Sequence, residues 1–474
     1  MSNQLWQQSA EQLRQALQRR SLSPVELTRA ILDRIDRLQP ALNCFVTICR
    51  DEALQQARTA EAALMRGAAP GLLTGIPYSA KDLVNTAGVR TTFGSLLYES
   101  NVPNEDAASI AGLRRAGAIL IGKTTTPEFG HKGMTDAPLF GRTRNAWHAG
   151  RTSGGSSGGA AVAAAAGLAP LAVATDGGGS TRIPAACNGV VGFKQSLGVV
   201  PHSQSPDVFG MYTYVTPMTR TVIDTGLMLQ AMTGEHWSDP WSGLPQPTDY
   251  VAAARPGGSL KGKRFAAALR LGNEFVANDV RLAFERSLRT LADLGAEIEE
   301  LDEKLPPQEP IWQVINHATW SARFSDMIAG NESRMSESLV RQVRSVKNHS
   351  ATDLQRASFA RTDLFRMVQR WLQRWDGLVM PTLARSAVPI DQDFFADIEI
   401  DNRVAGEIRK SWYPYTMPFN ITGHPAVSLP MGFGSDGLPL GLQIVGRLRG
   451  DAELLRIAAL FEQAQPWAQT WPDL

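Results

Sequence analysis

Two glycine clusters, each carrying serine, bracket a run of small apolar residues: Gly154-Gly155-Ser156-Ser157-Gly158-Gly159 and Gly177-Gly178-Gly179-Ser180, with Ala160 to Ala174 between them. Almost no polar side chain interrupts that run, so it must be buried, which a flexible Gly/Ser linker would not be. Glycine opens backbone conformations closed to other residues and lets other groups approach closely. The pattern therefore predicts two tight loops at the edge of a buried core, gathering backbone N–H groups and serine hydroxyls around one point.

The remaining texture alternates between strand and helix. Short apolar runs at Ile76 to Ala80, Ala118 to Ile121 and Leu171 to Ala174 read as buried strands, separated by helical patterns such as Ser109 to Ala116. Ser157 to Gly167 reads as a helix whose alanines allow close approach to the sheet, with its first amides turned toward the loops. Strand texture returns at Gly377 to Thr382, Pro425 to Met431 and Leu438 to Val445, before a final helix over Ala452 to Gln463. The expected fold is α/β, with a central mixed, largely buried β-sheet covered by helices on both faces. The first 70 residues read as helical scaffold, with Ser23-Pro24-Val25-Glu26 as a capping box. The core is expected from 71–232 and 376–474, with 235–375 laid over it as a variable substrate-side region, all within a single domain spanning 1–474. In that middle part Pro240 to Pro256 reads as loop, and Asp279 to Leu294 and Asp353 to Trp375 as amphipathic helices.

Composition narrows the class of partner. Lys+Arg 47 against Asp+Glu 46 leaves a net charge of +1, which offers no field for nucleic acid or an anionic membrane. No apolar run reaches the roughly 18 residues a spanning helix needs, and MSNQLWQQSAEQ does not read as a signal peptide. Three cysteines (Cys44, Cys49, Cys187) do not build a disulfide framework, and a cytoplasmic location is expected. No His/Cys cluster with metal-ligand spacing occurs, so neither metal nor cofactor is expected. A homodimer is compatible with the sequence.

A serine needs a base to become a nucleophile. Gly154 to Gly158 satisfies the letters of a nucleophile elbow, but Trp147 to Ser153 is too polar for the strand such an elbow requires. None of the seven histidines has a context that marks it as the base. Lys81 is the other candidate. It ends the mostly apolar stretch Gly75 to Ala80, which could hold its amine away from water. Desolvation disfavours an ammonium. To serve near neutral pH the lysine must fall from about 10.4 to roughly 7–8, which costs on the order of 4 kcal/mol, so the site must be well enclosed.

The chain resembles the amidase signature family, serine hydrolases with a Ser–cis-Ser–Lys triad. The matching segments are Gly75-Ile76-Pro77 to Lys81-Asp82, Gly122-Lys123-Thr124, Pro127-Glu128-Phe129, Gly154 to Gly159, Thr175 to Ser180, Ile183-Pro184-Ala185, Gly189 to Lys194 and Pro418-Phe419-Asn420. The resemblance runs from about residue 25 to the C-terminus, and the separations of 75 and 24 residues between Lys81, Ser156 and Ser180 match the family's spacing. It implies Ser180 as nucleophile, Ser156 as bridging serine after a cis bond from Gly155, and Lys81 as base. It also implies an oxyanion hole from the amides of Gly177, Gly178, Gly179 and Ser180, a substrate contact at Gly130, and hydrolysis of a linear aryl or aliphatic amide through a seryl acyl-enzyme. Asp176 and Arg182 are expected to pair and shape the loop, with Ser157, Lys123 and Lys194 in support. Trp312, Trp320, Tyr212 and Tyr214 are candidates for the pocket wall or for packing.

Two departures bear on substrate. Gly177 stands where the family has threonine or isoleucine, which widens the space beside the nucleophile. Tyr413 occupies the place of the aspartate with which the glutamyl-tRNA amidotransferases of this family hold glutamine, so a glutamine-hydrolysing amidotransferase subunit is the second choice. A small-molecule kinase, cradling phosphate on Gly154 to Ala160, is a remote third that leaves Lys81 and the second loop unexplained. A catalytically silent scaffold protein would not need the triad.

Overall fold

The computed structural model describes residues 4–244, 246–306, 308–345 and 349–474. Its centre is one eleven-stranded sheet. In chain order the strands are β1 (Phe45–Ile48), β2 (Pro77–Lys81), β3 (Ile119–Thr124), β4 (Leu171–Asp176), β5 (Val191–Lys194) and β6 (Tyr214–Thr219). They continue as β7 (Arg264–Ala267), β8 (Glu297–Glu300), β9 (Gly377–Pro381), β10 (Ala426–Phe433) and β11 (Pro439–Gly446). Across the sheet they stand in the order β1-β3-β2-β4-β6-β5-β10-β11-β9-β7-β8. The sheet is mixed: β2 runs parallel to both β3 and β4, whereas β4 and β6 are antiparallel, as are β10 and β11. Helices cover both faces, which is why the central strands read as unbroken apolar runs rather than alternating ones.

The alanine-rich run divides as expected into the helix Gly158–Ala165 and strand β4, both buried along their length save Thr175. A glycine is required at the helix start, because a Cβ on Gly159 would run into the Thr125 amide nitrogen. Ser23 caps the helix Pro24–Leu42 by accepting from the amides of Val25 and Glu26, but Glu26 does not reach back, and the Ser23 hydroxyl donates to Glu61 instead.

The middle of the chain differs from expectation. It does not merely overlie the core, because β7 and β8 extend the main sheet beyond β9. Their sequences, RFAA and EIEE, are too short and, in β8, too polar to register as buried strands. The expected loop Pro240 to Pro256 also contains a short helix at Tyr250–Ala253. The long helices Glu309–Ile328 and Ala351–Arg374 complete this region.

Parallel pairing positions the chemistry. Register between β2 and β4 sets Tyr78 opposite Leu171 and Ala80 opposite Val173, so Lys81 leaves the sheet beside Thr175, and the Gly177–Ser180 loop follows directly. Sites at the C-terminal ends of parallel strands arise this way.

Candidate active site

Lys81, the last residue of β2, is fully buried. Its Nζ lies 2.7 Å from Ser156 Oγ, 2.8 Å from Ser157 Oγ and 2.8 Å from Thr175 Oγ1. Burial pushes its pKa well below the ordinary lysine range, and the negative charge of Asp176 only partly opposes this. One of these hydroxyls is committed elsewhere. Ser157 donates its own proton to the Thr175 carbonyl at 3.1 Å and accepts from the Thr175 amide at 3.2 Å, so toward Lys81 it can only accept. Ser156 has no such commitment among the described residues and can pass its proton to a neutral lysine amine.

The loop that carries Ser156 is clamped from two sides. The Gly155–Ser156 peptide is cis. Thr135 donates to the Gly154 carbonyl at 2.8 Å and accepts from the Gly158 amide at 3.1 Å. Thr135 is a residue sequence reasoning did not single out, and nothing local to it signals the role. The Ser157 amide donates to the Ser180 carbonyl at 3.1 Å, tying the two serine loops together.

All four carbonyls of residues 177–180 have donors. Gly177 O accepts from Trp312 Nε1 at 3.1 Å and Gly178 O from Thr416 Oγ1 at 2.7 Å, while the carbonyls of Gly179 and Ser180 accept from the amides of Ile183 and Ser157. The peptide planes are thereby oriented, and the amides of Gly177, Gly178 and Ser180 have no hydrogen-bond partner among the described residues. Gly179 is a correction to the expected oxyanion set: its amide donates to Asp176 Oδ1 at 2.6 Å and is not available to a substrate oxygen. Free amides collected in one concavity bind developing negative charge.

Beneath the loop lies the expected Asp176–Arg182 pair, with both side chains fully buried. Arg182 Nε donates to Asp176 Oδ2 at 2.9 Å and Nη2 to Oδ1 at 3.0 Å. The remaining donors reach Thr416 O, Gln443 Oε1 and Asn420 Oδ1 at 2.8, 2.8 and 2.5 Å, which satisfies the whole guanidinium. Burial alone would raise the Asp176 carboxyl, but the Arg182 charge and hydrogen bonds, with help from Asn420, hold it at about 2. Lys123 and Lys194 stay away from the reacting groups, donating to Thr86 Oγ1 at 2.7 Å and to Gln195 O at 3.1 Å.

A cavity of about 230 Å³ opens onto Ser156, Ser180, Gly177 and Gly178, with Gly130 in its wall. Gly130 has φ +72°, and a Cβ there would stand 3.2 Å from Ser156 Oγ. Trp312, Trp320, Tyr212 and Tyr413 line the same cavity. Tyr214 does not; it is buried, donating to the Asn420 carbonyl at 2.9 Å. The wall also contains Asn316 and Arg409, which sequence reasoning passed over because nothing local marks either as facing a site. Arg409 stacks over Trp312 and donates to Gln342 Oε1 at 2.9 Å.

The Amidase family profile matches residues 26–455. The chain is 36% identical to the acylamidase of Rhodococcus erythropolis, covering 98% of this chain and 97% of that one. It is 34% identical to a subunit of the glutamyl-tRNA(Gln) amidotransferase of Thermosynechococcus vestitus, covering 98% and 99%. Among solved structures, a bacterial aryl acylamidase of the amidase signature family superimposes with a TM-score of 0.89 at 29% identity, covering 98% and 97%. The peptide amidase of Stenotrophomonas maltophilia superimposes with a TM-score of 0.81 at 28% identity, covering 98% and 99%. A buried lysine among hydroxyls, a cradle of free amides and these likenesses lead to one conclusion: the chain belongs to the amidase family, of the amidase signature type, and is an amide hydrolase.

Proposed function

We propose that this amidase cleaves linear aryl or aliphatic carboxamides through an acyl-enzyme on Ser180. In this reading Lys81 takes the Ser156 proton as Ser156 takes that of Ser180, and Ser180 Oγ attacks the amide carbon. The tetrahedral oxygen is held by the amides of Gly177, Gly178 and Ser180. Ser156 then protonates the departing nitrogen, and water releases the carboxylate by the same relay. The observation that carries the reading is the 2.7 Å contact between Ser156 Oγ and the fully buried Lys81 Nζ. One amide donor at such a site is typically worth about 3–4 kcal/mol to the transition state. Gly130, beside Ser156, is assigned to the leaving-group side. The continuous eleven-stranded sheet supports treating the chain as one domain, and three buried free thiols are compatible with a reducing, cytoplasmic setting.

The amidotransferase alternative has support in the relatives of that name, but Tyr413 presents no carboxylate to a glutamine ammonium group. The kinase alternative meets a physical obstacle. The two leading amides of the helix Gly158–Ala165 already donate to Thr135 Oγ1 and Thr125 O and are not free for a phosphate.

The test is a fluorophosphonate label followed by peptide mass mapping, with a panel of aryl and aliphatic amides and glutamine assayed in parallel. Stoichiometric modification of Ser180, its loss in Ser180→Ala, and turnover of the linear amides are expected. Labelling at another residue would remove Ser180 from the role, and glutamine as the preferred substrate would favour the amidotransferase.

A further inference from the structure

Helix Glu309–Ile328 presents Trp312, Asn316, Thr319, Trp320 and Arg323 to the cavity, positions that share one helical face. Asn316 stands out chemically. It is only 4% exposed, yet its Nδ2 has no hydrogen-bond partner among the described residues. Its other amide atom is engaged: Tyr212 donates its hydroxyl proton to Asn316 Oδ1 at 2.9 Å. Thr319 gives its proton to the Ile315 carbonyl at 3.0 Å and does not compete as a donor. Buried amide donors are almost always paired, because leaving one unmade is costly. An unpaired donor in a cavity wall, on an amide whose oxygen is already engaged by a neighbour, is the arrangement expected of a group that a ligand completes.

Its location sets what the ligand must offer. Trp312, one turn earlier, donates to the Gly177 carbonyl at 3.1 Å. Asn316 therefore stands about 6 Å further along the helix axis from the residue that braces the amide cradle. We infer that Asn316 is a specificity-determining residue whose Nδ2 group binds an oxygen acceptor of the substrate, a carbonyl or ether oxygen set a few bonds from the scissile carbonyl. Tyr212 is its positioning residue. The preferred substrates are then amides bearing a second oxygen, not plain hydrocarbon amides. A pocket built to hydrogen-bond a substrate group discriminates strongly against an analogue lacking it, since the protein group is then left unpaired.

The inference rests on the seryl hydrolase reading, and its test separates the two. Paired anilides would be compared, one with a ketone or ether oxygen at successive acyl or ring positions, the other with a methylene there. The wild type should favour at least one oxygen-bearing member by about 10- to 100-fold in kcat/KM. Asn316→Leu should bring that ratio close to one, and Tyr212→Phe should lower it part of the way. Thermal melting and stoichiometric fluorophosphonate labelling establish that each variant is folded. Should Asn316→Leu not fold, Asn316→Asp keeps the shape and replaces the donor by an acceptor, and it should reverse the preference toward hydroxyl-bearing amides. Absence of any oxygen preference in the wild type, or its survival in the variant that folds, overturns the inference. Failure of the hydrolase reading would show separately, as absence of Ser180 labelling and of turnover for every anilide.

Discussion

Asp176 Oδ1 accepts both the Gly179 amide at 2.6 Å and an Arg182 guanidinium proton at 3.0 Å, so one buried ion pair sets the curvature of the loop that ends in Ser180. The shape of the amide cradle is thus imposed from beneath. Two carboxylate oxygens, five guanidinium donors, Asn420, Gln443 and the Thr416 carbonyl form one network, and none of these residues lines the cavity.

Asp176→Asn keeps the volume but leaves the Arg182 guanidinium buried without a counter-charge. Removing one partner of a buried pair typically costs about 3–5 kcal/mol. The variant should unfold at clearly lower denaturant concentration and lose most amidase activity through the misshapen cradle. The pH dependence supplies a second readout. With a folded value of about 2, below that of the unfolded chain, Asp176 contributes stability above pH 4 that is lost as pH falls toward 2. That acid-side loss should be smaller in Asp176→Asn. Wild-type stability in the variant at pH 7 would refute the argument.

Lys81→Ala should lower kcat by about a thousandfold or more while the protein stays folded, the scale of removing a base from a nucleophile–base unit. Burial lowers the Lys81 pKa, and in the proposed role of base the lysine acts as the neutral amine. Wild-type kcat/KM should therefore rise with pH through the depressed lysine value and level off above it. Stability follows the same sign: where the unfolded chain binds the proton and the folded one does not, folding strengthens as pH rises. A rate that falls with rising pH from 5 to 8 would exclude Lys81 as base.

Lys194 tests the energetics apart from catalysis. Burial, reinforced by the Arg182 charge and opposed by Asp176 and Asp451, lowers it from 10.5 to about 7. That difference corresponds to roughly 4–5 kcal/mol of lost stability below pH 7, which disappears as pH rises from 7 to 10.5. Lys194→Met should stabilise the protein at pH 6 by a smaller amount than this. The substitution also removes the Gln195 hydrogen bond and the stacking of Nζ over Tyr214 at 4.1 Å. The gain should shrink toward pH 10 in denaturant titrations. A gain that does not vary with pH would contradict the assigned burial cost.

How much of this was legible in the sequence depended on whether the signal was local. The two serine loops, the alanine helix and Lys81 at the end of an apolar strand each lie within a dozen residues, and steric demands of glycine and alanine mark them directly. Strands β7 and β8 were illegible because each is only four residues long, and the edge strand EIEE carries no apolar pattern of its own. Thr135 and Asn316 reach the site only through tertiary folding, from segments with no chemical signature. The bond from the Gly179 amide to Asp176 was illegible for a related reason: a glycine-rich loop announces many free amides, but not which one a neighbouring carboxylate will take.

The same loop separates glycines that serve conformation from those that serve space. Gly179 has φ +122°, a region unfavourable to L residues, and a Cβ there would collide with Thr416 Oγ1 and lie 2.7 Å from Thr416 Cβ. Thr416 cannot yield, because its hydroxyl holds the Gly178 carbonyl at 2.7 Å. Gly177 has an ordinary φ, and its Cβ would meet only Thr213 Cγ2 at 3.3 Å, a contact a small side-chain shift relieves. Gly179→Ala should therefore cost about 2–4 kcal/mol in stability and reduce kcat by at least a hundredfold, since both strain and displacement of the cradle follow. Gly177→Ala should cost under about 1 kcal/mol and act mainly on substrate range, narrowing it against bulky or branched acyl groups. Denaturation midpoints and kcat/KM for a straight-chain and a branched amide measure both effects. Equal damage from the two substitutions would mean that the loop's shape, and not the space beside it, requires glycine at 177 as well.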